Sequence, residues 1–257
     1  MSEETLDVVI PMAGRGSRFA SAGFELPKPL IDVKGRPMVE WVVENLRPAR
    51  PHRFVFVCLA EHLQRYDLER SLNEMAPGCA VIPIESVTEG AACTVLLARE
   101  LIDGGRPLMI ANSDQWIDAP IDQYLAAADR EGVDGMIMTM TAEHPKWSYV
   151  RPGAGAAVEE VVEKQVISDQ ATVGIYNFAR GADYVEAADR MIERELRVNG
   201  EFYVAPTYNQ LIAAGGRVVH HNIGSVEDAM WGLGTPEDLA VFEASEHALA
   251  GAVGEAG

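Results

Sequence analysis

Long apolar runs are missing from this sequence of 257 residues: none approaches the roughly 18 consecutive apolar residues that a membrane-crossing helix needs. Cysteine is scarce. Cys58, Cys79 and Cys93 are too few and too scattered for a disulfide framework or a zinc site, and Cys58, inside an apolar run, reads as a core residue. Positive charge is also scarce, with 21 Lys and Arg against 39 Asp and Glu and a net charge of −18. A nucleic-acid binder needs a basic footprint, so that class is disfavoured. The opening residues MSEETLD lack the basic-then-apolar pattern of a secretory leader. Together these features point to the cytoplasm and to no membrane partner. Neither an internal repeat nor a low-complexity linker is present.

What is there is a globular composition, 48% apolar, long enough for one large α/β domain or two small ones. DVVIP (7–11), RFVFVCLA (53–60), AVIPI (80–84) and PLMIAN (107–112) read as buried strands. Between them, residues 37–46, 61–74 and 91–102 carry apolar residues at helical spacing, and a further helix is expected from Pro120 to about Arg130. This alternation predicts a Rossmann-like, mainly parallel sheet flanked by helices. The second half is richer in strands, at 136–140, 157–163, 171–178 and 216–222, with helices at 183–196 and 235–249. The tail, 251–257, is expected to fray.

The acidic charge is not uniform. Residues 12–36 hold five basic side chains (Arg15, Arg18, Lys28, Lys34, Arg36) and two acidic ones (Glu25, Asp32), which suggests an anion site. PMAGRGSRF (11–19) follows the first strand directly, and its small residues let successive backbone N–H groups approach a phosphate. The spacing fits neither a Walker loop nor a dinucleotide fingerprint. Arg18 on that loop and Lys28 in PKPL (27–30) supply two fixed cations that can flank a phosphate under attack. Asp114 in ANSDQ (111–115) stands where open α/β sheets place their sites, and a lone Asp there suits Mg²⁺, with a turn-capping Asp as the alternative. His220 and His221 are adjacent on a strand and point to opposite faces, so they read as structural. HPKWSYV (144–150) reads either as a loop that closes over a ligand, with Lys146 on a phosphate, or as a plain surface loop.

GRGSRF followed by LPKPLIDVKGRPMVEWVVENL resembles the signature of the sugar-phosphate nucleotidyltransferase family. TEGAACTVLLA (88–98), ANSDQ, VVEKQ (161–165), ATVGIY (171–176), GEFYV (200–204) and WGLGTPEDL (231–239) continue it in the family's order. The resemblance implies the nucleotide-diphospho-sugar transferase fold. One nucleotidyltransferase domain would span 1–250, with a nucleotide-binding half at 1–112 and an acceptor-binding half at 113–250. It implies transfer of a nucleoside monophosphate from a triphosphate to a small phosphorylated acceptor, either a sugar 1-phosphate or a phosphorylated amino acid or amino alcohol such as phosphocholine, with Mg²⁺ as cofactor and pyrophosphate released, in the synthesis of surface polysaccharide or another nucleotide-activated metabolite. Homo-oligomerisation stays open.

It also implies residue roles. Arg18 and Lys28 would stabilise charge at the α-phosphate, and Asp114 would hold Mg²⁺. Met12, Ala13, Gly14, Arg15, Gly16 and Ser17 would form the phosphate loop, with Glu89, Gly90 and Ala91 against the base and ribose. Lys164 would bind the acceptor's phosphate, and Glu163, Gly174 and Glu201 the rest of the acceptor. From the residues alone, Lys164 and Glu201 also read as ordinary surface charges. The family's W-x-D-x-G-T segment carries a second metal-binding Asp, but here Gly232 stands in its place, with Asp228 as the candidate replacement. The phrasing is most similar to a capsule-cluster branch that includes cytidylyltransferases, which makes CTP the first nucleotide expected. Two other readings remain. A catalytically inactive homologue would explain Gly232. A glycosyltransferase of the same fold would usually show Asp-x-Asp, where this chain has Ser113-Asp114-Gln115.

Overall fold

The first strand, β1 (Leu6–Pro11), is buried on both faces: Leu6, Val8 and Ile10 enter one core layer and Val9 the other. Alternation of this kind, repeated along β2 (His52–Leu59), makes a sheet that needs helices on both sides. The computed structural model describes residues 4–253, with side chains through 249. Its main sheet adds β3 (Ala80–Ile84), β4 (Leu108–Ala111), β5 (Gly135–Thr141), β6 (Ser148–Pro152), β7 (Val158–Glu163), β8 (Gln170–Phe178) and β9 (Val218–Ser225). The order runs β7-β6-β8-β4-β1-β2-β3, and β5, flanked by β9, also pairs with β8. β1, β2, β3 and β4 are mutually parallel, while β8 is antiparallel to β4 and joins the two halves of the chain. Only β7 and β8 run against the rest, so the sheet is mixed and mainly parallel, as expected.

At the sheet edge where β1 begins, Asp7 is buried and takes Arg53 at 2.7 Å and Arg106 at 2.8 Å, one on each carboxylate oxygen. A buried carboxylate needs such partners. This clamp ties β1 to β2 and to the chain entering β4, leaving the opposite strand ends free for chemistry.

Several elements differ from the sequence expectation. The helix expected over 61–74 is two, Ala60–Tyr66 and Leu68–Met75, because Asp67 adopts a left-handed backbone, φ 50°. The helices over 91–102 and 235–249 are likewise divided, into Ala91–Leu96 with Arg99–Ile102 and Pro236–Glu243 with Glu246–Val253. The last helix extends to Val253, into the tail expected at 251–257, and 254–257 lie outside the described residues. Residues 148–150, read as loop, begin β6, which pairs antiparallel with β7. His220 and His221 serve different neighbours: His220 Nδ1 lies 3.3 Å from Thr139 Oγ1, and His221 meets the edge of the Tyr124 ring. Burial holds both imidazoles below the ordinary histidine range. The same cause pushes the Cys58 thiol up to about 12, in keeping with an inert core residue.

Candidate active site

The loop after β1 and the turn after β4 open onto one cleft of about 570 Å³, whose far wall is the β6–β7 ribbon with the segment around residue 203. Gly16 explains the shape of the first loop. Its backbone is left-handed, φ 59°, and starts the short helix Ser17–Ser21. A Cβ there would lie 3.2 Å from Lys28 Cβ, so the loop packs directly on the segment that carries Lys28. Pro27 and Pro29 fix that segment as a single 3₁₀ turn, Lys28–Leu30.

Lys28 and Asp114 are 86 residues apart in sequence, yet the Lys28 ammonium is paired with Asp114 Oδ2 in the cleft. Two features fix Asp114. Its carbonyl accepts the Leu233 N–H at 2.7 Å, and Gly234 crosses its carboxylate so closely that a Cβ would sit 2.6 Å from Oδ2. The segment that carries Gly234 is held by a short ribbon, Gln115–Ile117 with Met230–Gly232.

At the other end, Ser148 Oγ donates to the buried carboxylate of Glu163 across the β6–β7 pair. Burial pushes the Glu163 carboxyl above the usual range; the Ser148 hydrogen bond and the Lys164 charge oppose this without cancelling it. Lys164, at φ 56°, turns its ammonium onto Tyr203 OH at 2.5 Å. Gly174, at φ 87°, lies where the register of β8 against β5 shifts. A Cβ there would fall 2.3 Å from Asn112 Nδ2, and the Gly174 carbonyl accepts from Asn112 N and from Gln115 Nε2. The turn that presents Asp114 is thereby bolted to β8.

A family model described as "Nucleotidyl transferase" matches residues 7–203. The chain belongs to the nucleotidyl transferase family. It is 27% identical over 204 residues to a mannose-1-phosphate guanyltransferase of Schizosaccharomyces pombe, covering 74% of this chain and 54% of that protein. It is 27% identical over 235 residues to the mannose-1-phosphate guanylyltransferase catalytic subunit beta of Danio rerio, covering 89% of this chain and 64% of that one. The chain thus spans between half and two thirds of the length of these relatives. Among solved structures, a nucleoside-diphosphate-sugar pyrophosphorylase from Vibrio cholerae RC9 superposes with a TM-score of 0.76 at 26% identity, covering 93% of this chain and 100% of that one. A UDP-glucose pyrophosphorylase complexed with UDP-glucose shares the fold, with a TM-score of 0.75 at 17% identity over 93% of this chain and 97% of that one.

In this member of the nucleotidyl transferase family, Met12, Gly14, Gly16, Ser17, Arg18, Lys28, Ala91, Asp114, Glu163, Lys164, Gly174 and Glu201 all line the one cleft. Five expected residues lie outside its lining. Ala13 is buried in the second core layer, behind the loop, and Arg15 is exposed beside it. Glu89 is paired with Arg197 at 2.6 Å, and Arg197 lies 4.1 Å over the Phe202 ring. Gly90 packs on Phe202: at φ 141°, a Cβ would meet Phe202 O at 2.3 Å, and Phe202 N and O bond the backbone of Glu89 and Ala92. Asp228 is exposed in its own turn, where its carboxylate accepts Ser225 Oγ at 3.4 Å. Sequence reasoning missed Trp147, Ser148, Thr172, Tyr176 and Tyr203 on the cleft wall. Trp147 and Ser148 lie inside the unusual 144–150 stretch, Thr172 and Tyr176 inside ATVGIY, and Tyr203 inside GEFYV, so each carried a signal at the level of its motif.

Proposed function

We propose that this chain transfers a nucleoside monophosphate from a nucleoside triphosphate to a sugar 1-phosphate and releases pyrophosphate. The observation that carries the reading is the Lys28–Asp114 pair, set in one cleft with the exposed Arg18 and the Gly14–Gly16 loop. The acceptor's phosphate oxygen attacks the α-phosphorus in line. The α–β bridging P–O bond breaks, and its electron pair leaves with pyrophosphate. The nucleophile is already an anion, so no covalent enzyme intermediate is required, and positioning with charge neutralisation supplies the catalysis. Arg18 and Lys28 would neutralise charge on the triphosphate, while Lys164, Glu163 and Glu201 would hold the acceptor.

Mg²⁺ belongs to the same proposal. Asp114 Oδ2 already faces a cation, the Lys28 ammonium, and glycine at 234 leaves that oxygen uncrowded. Among the described residues no cluster of three or more His, Cys, Asp or Glu can hold a metal alone. A magnesium ion here would therefore take Asp114 and complete its shell with phosphate and water, as that ion prefers. When bound, it would offset triphosphate charge during displacement.

The curated relatives put GTP and mannose 1-phosphate first among substrates to test, ahead of the CTP anticipated from the sequence. Support for the enzymatic reading over an inactive module comes from the assembled Lys28–Asp114 pair. The test is pyrophosphate release with Mg²⁺ across GTP, CTP, UTP and dTTP, each with mannose 1-phosphate, glucose 1-phosphate and phosphocholine. No turnover with any pair would refute the proposal.

A further inference from the structure

Lys146 lies on the cleft wall, and the reaction described above does not use it. It precedes β6, and its ammonium is placed 4.6 Å over the ring of its neighbour Trp147. The same ammonium reaches Asp238 Oδ1 at 3.3 Å. With side chains 43% and 29% exposed, this pair is solvent-screened and exchangeable.

Lys146 and Lys164 both line the cleft. The Lys164 backbone N–H donates to the carbonyl of Trp147 at 3.0 Å, so the two lysines lie at the same end of the β6–β7 ribbon, one before β6 and one after β7. Each is parked on a neutral or acidic partner, Tyr203 OH for Lys164 and Asp238 for Lys146. The charge at this end decides what it can hold. Glu163 and Glu201 face a single cation if Lys164 acts alone, which is a poor seat for a dianionic phosphate monoester. Adding Lys146 balances the two carboxylates.

Asp238 is held where it can serve. Its backbone N–H donates to Thr235 Oγ1 at 3.1 Å, the cap of the helix Pro236–Glu243. A Cβ on Gly232 would lie 3.3 Å from Asp238 Cβ, Cγ and Oδ2. A side chain at 232 would crowd that carboxylate, and an acidic one would press a second anion against it. Glycine at 232 leaves Asp238 free to receive Lys146.

We propose that Lys146 is a second cation for the acceptor's phosphate, held in reserve by Asp238, whose seat depends on Gly232. Acceptor binding transfers the ammonium from the aspartate to the phosphate. This rests on the nucleotidyl-transfer reading, so the wild type is first assayed with the substrate panel above. Silence with every pair removes that reading and this one with it. With the pair that turns over, Lys146→Met is expected to raise the acceptor KM about ten-fold, leaving the nucleotide KM within two-fold, while Lys146→Arg restores most of it. Asp238→Asn is expected to lower the acceptor KM two- to five-fold, an effect a merely structural aspartate would not give. Melting curves establish that each variant is folded; Lys146→Arg keeps the test open if the methionine variant is not. An unchanged acceptor KM in Lys146→Met, equal increases for both substrates, or a raised acceptor KM in Asp238→Asn would each overturn the proposal while leaving nucleotidyl transfer intact.

Discussion

Gly234→Ala tests whether the carboxylate of Asp114 must stand where the structure holds it. The added Cβ would lie 2.6 Å from Asp114 Oδ2 and 3.4 Å from its Cγ. The first contact falls about 0.8 Å short of ordinary van der Waals separation, so the carboxylate must turn away by that much. The backbone at 234 is outside the left-handed region, so alanine adds no φ strain there. A side chain that can rotate yields cheaply, and the stability cost should fall near the low end of overpacking, about 1 kcal/mol. In a chain of this size that lowers Tm by roughly 2–4 °C. A misplacement approaching 1 Å at a reacting centre costs on the order of a hundred-fold in rate. We therefore expect turnover to fall by roughly ten- to a hundred-fold, read by coupled pyrophosphate release. Gly105→Ala is the control, because no atom beyond its own chain neighbours lies within 4 Å of its added Cβ. Wild-type turnover in a folded Gly234→Ala would refute the placement of Asp114 in the chemistry.

Lys28→Ala should remain folded and lose about two to three orders of magnitude in turnover, as when one charge-stabilising donor is removed; near wild-type turnover would contradict its role. Lys164→Met should raise the KM of the acceptor far more than that of the triphosphate, and equal changes would place Lys164 elsewhere. Asp114→Ala should be inactive at any Mg²⁺ concentration, whereas Asp228→Ala, with its carboxylate engaged by Ser225, should retain activity. A loss on Asp228→Ala that excess Mg²⁺ rescues would return Asp228 to the metal. Glu163→Gln should be more stable than the wild type at pH 7.5. Burial raises the folded carboxyl, so between the ordinary glutamate value of about 4.3 and that raised value the folded state binds more protons, and wild-type stability falls as pH rises. The difference in Tm should vanish below about pH 4, and an offset independent of pH would sink the argument.

The parallel half of the sheet was legible because β1, β2 and β4 are short apolar runs bounded by turns, signals that survive without tertiary context. The Gly16–Lys28–Asp114 constellation was legible for a related reason: glycines, prolines and a strand-end aspartate each mark local backbone geometry. The break at Asp67 was not, because this exposed residue takes a left-handed conformation that apolar spacing does not announce. β6, with the sequence SYVRP, hid because it mixes apolar and polar residues in five positions and ends in proline, so no clear strand period stands out, even though its antiparallel partner β7 is close in sequence. Glu89 and Gly90 had the right composition for a base-binding turn. Arg197 and the Phe202 backbone, more than a hundred residues away, also engage them, contacts that no local pattern announces.

The most direct test of the account is nucleotide-sugar formation by the purified full chain with Mg²⁺, GTP and mannose 1-phosphate, followed by the other pairs of the panel. The account predicts pyrophosphate and nucleoside-diphosphate sugar in equal amounts, lost together in Lys28→Ala. Release of inorganic phosphate without the nucleotide sugar, or equal product from Lys28→Ala, would contradict it.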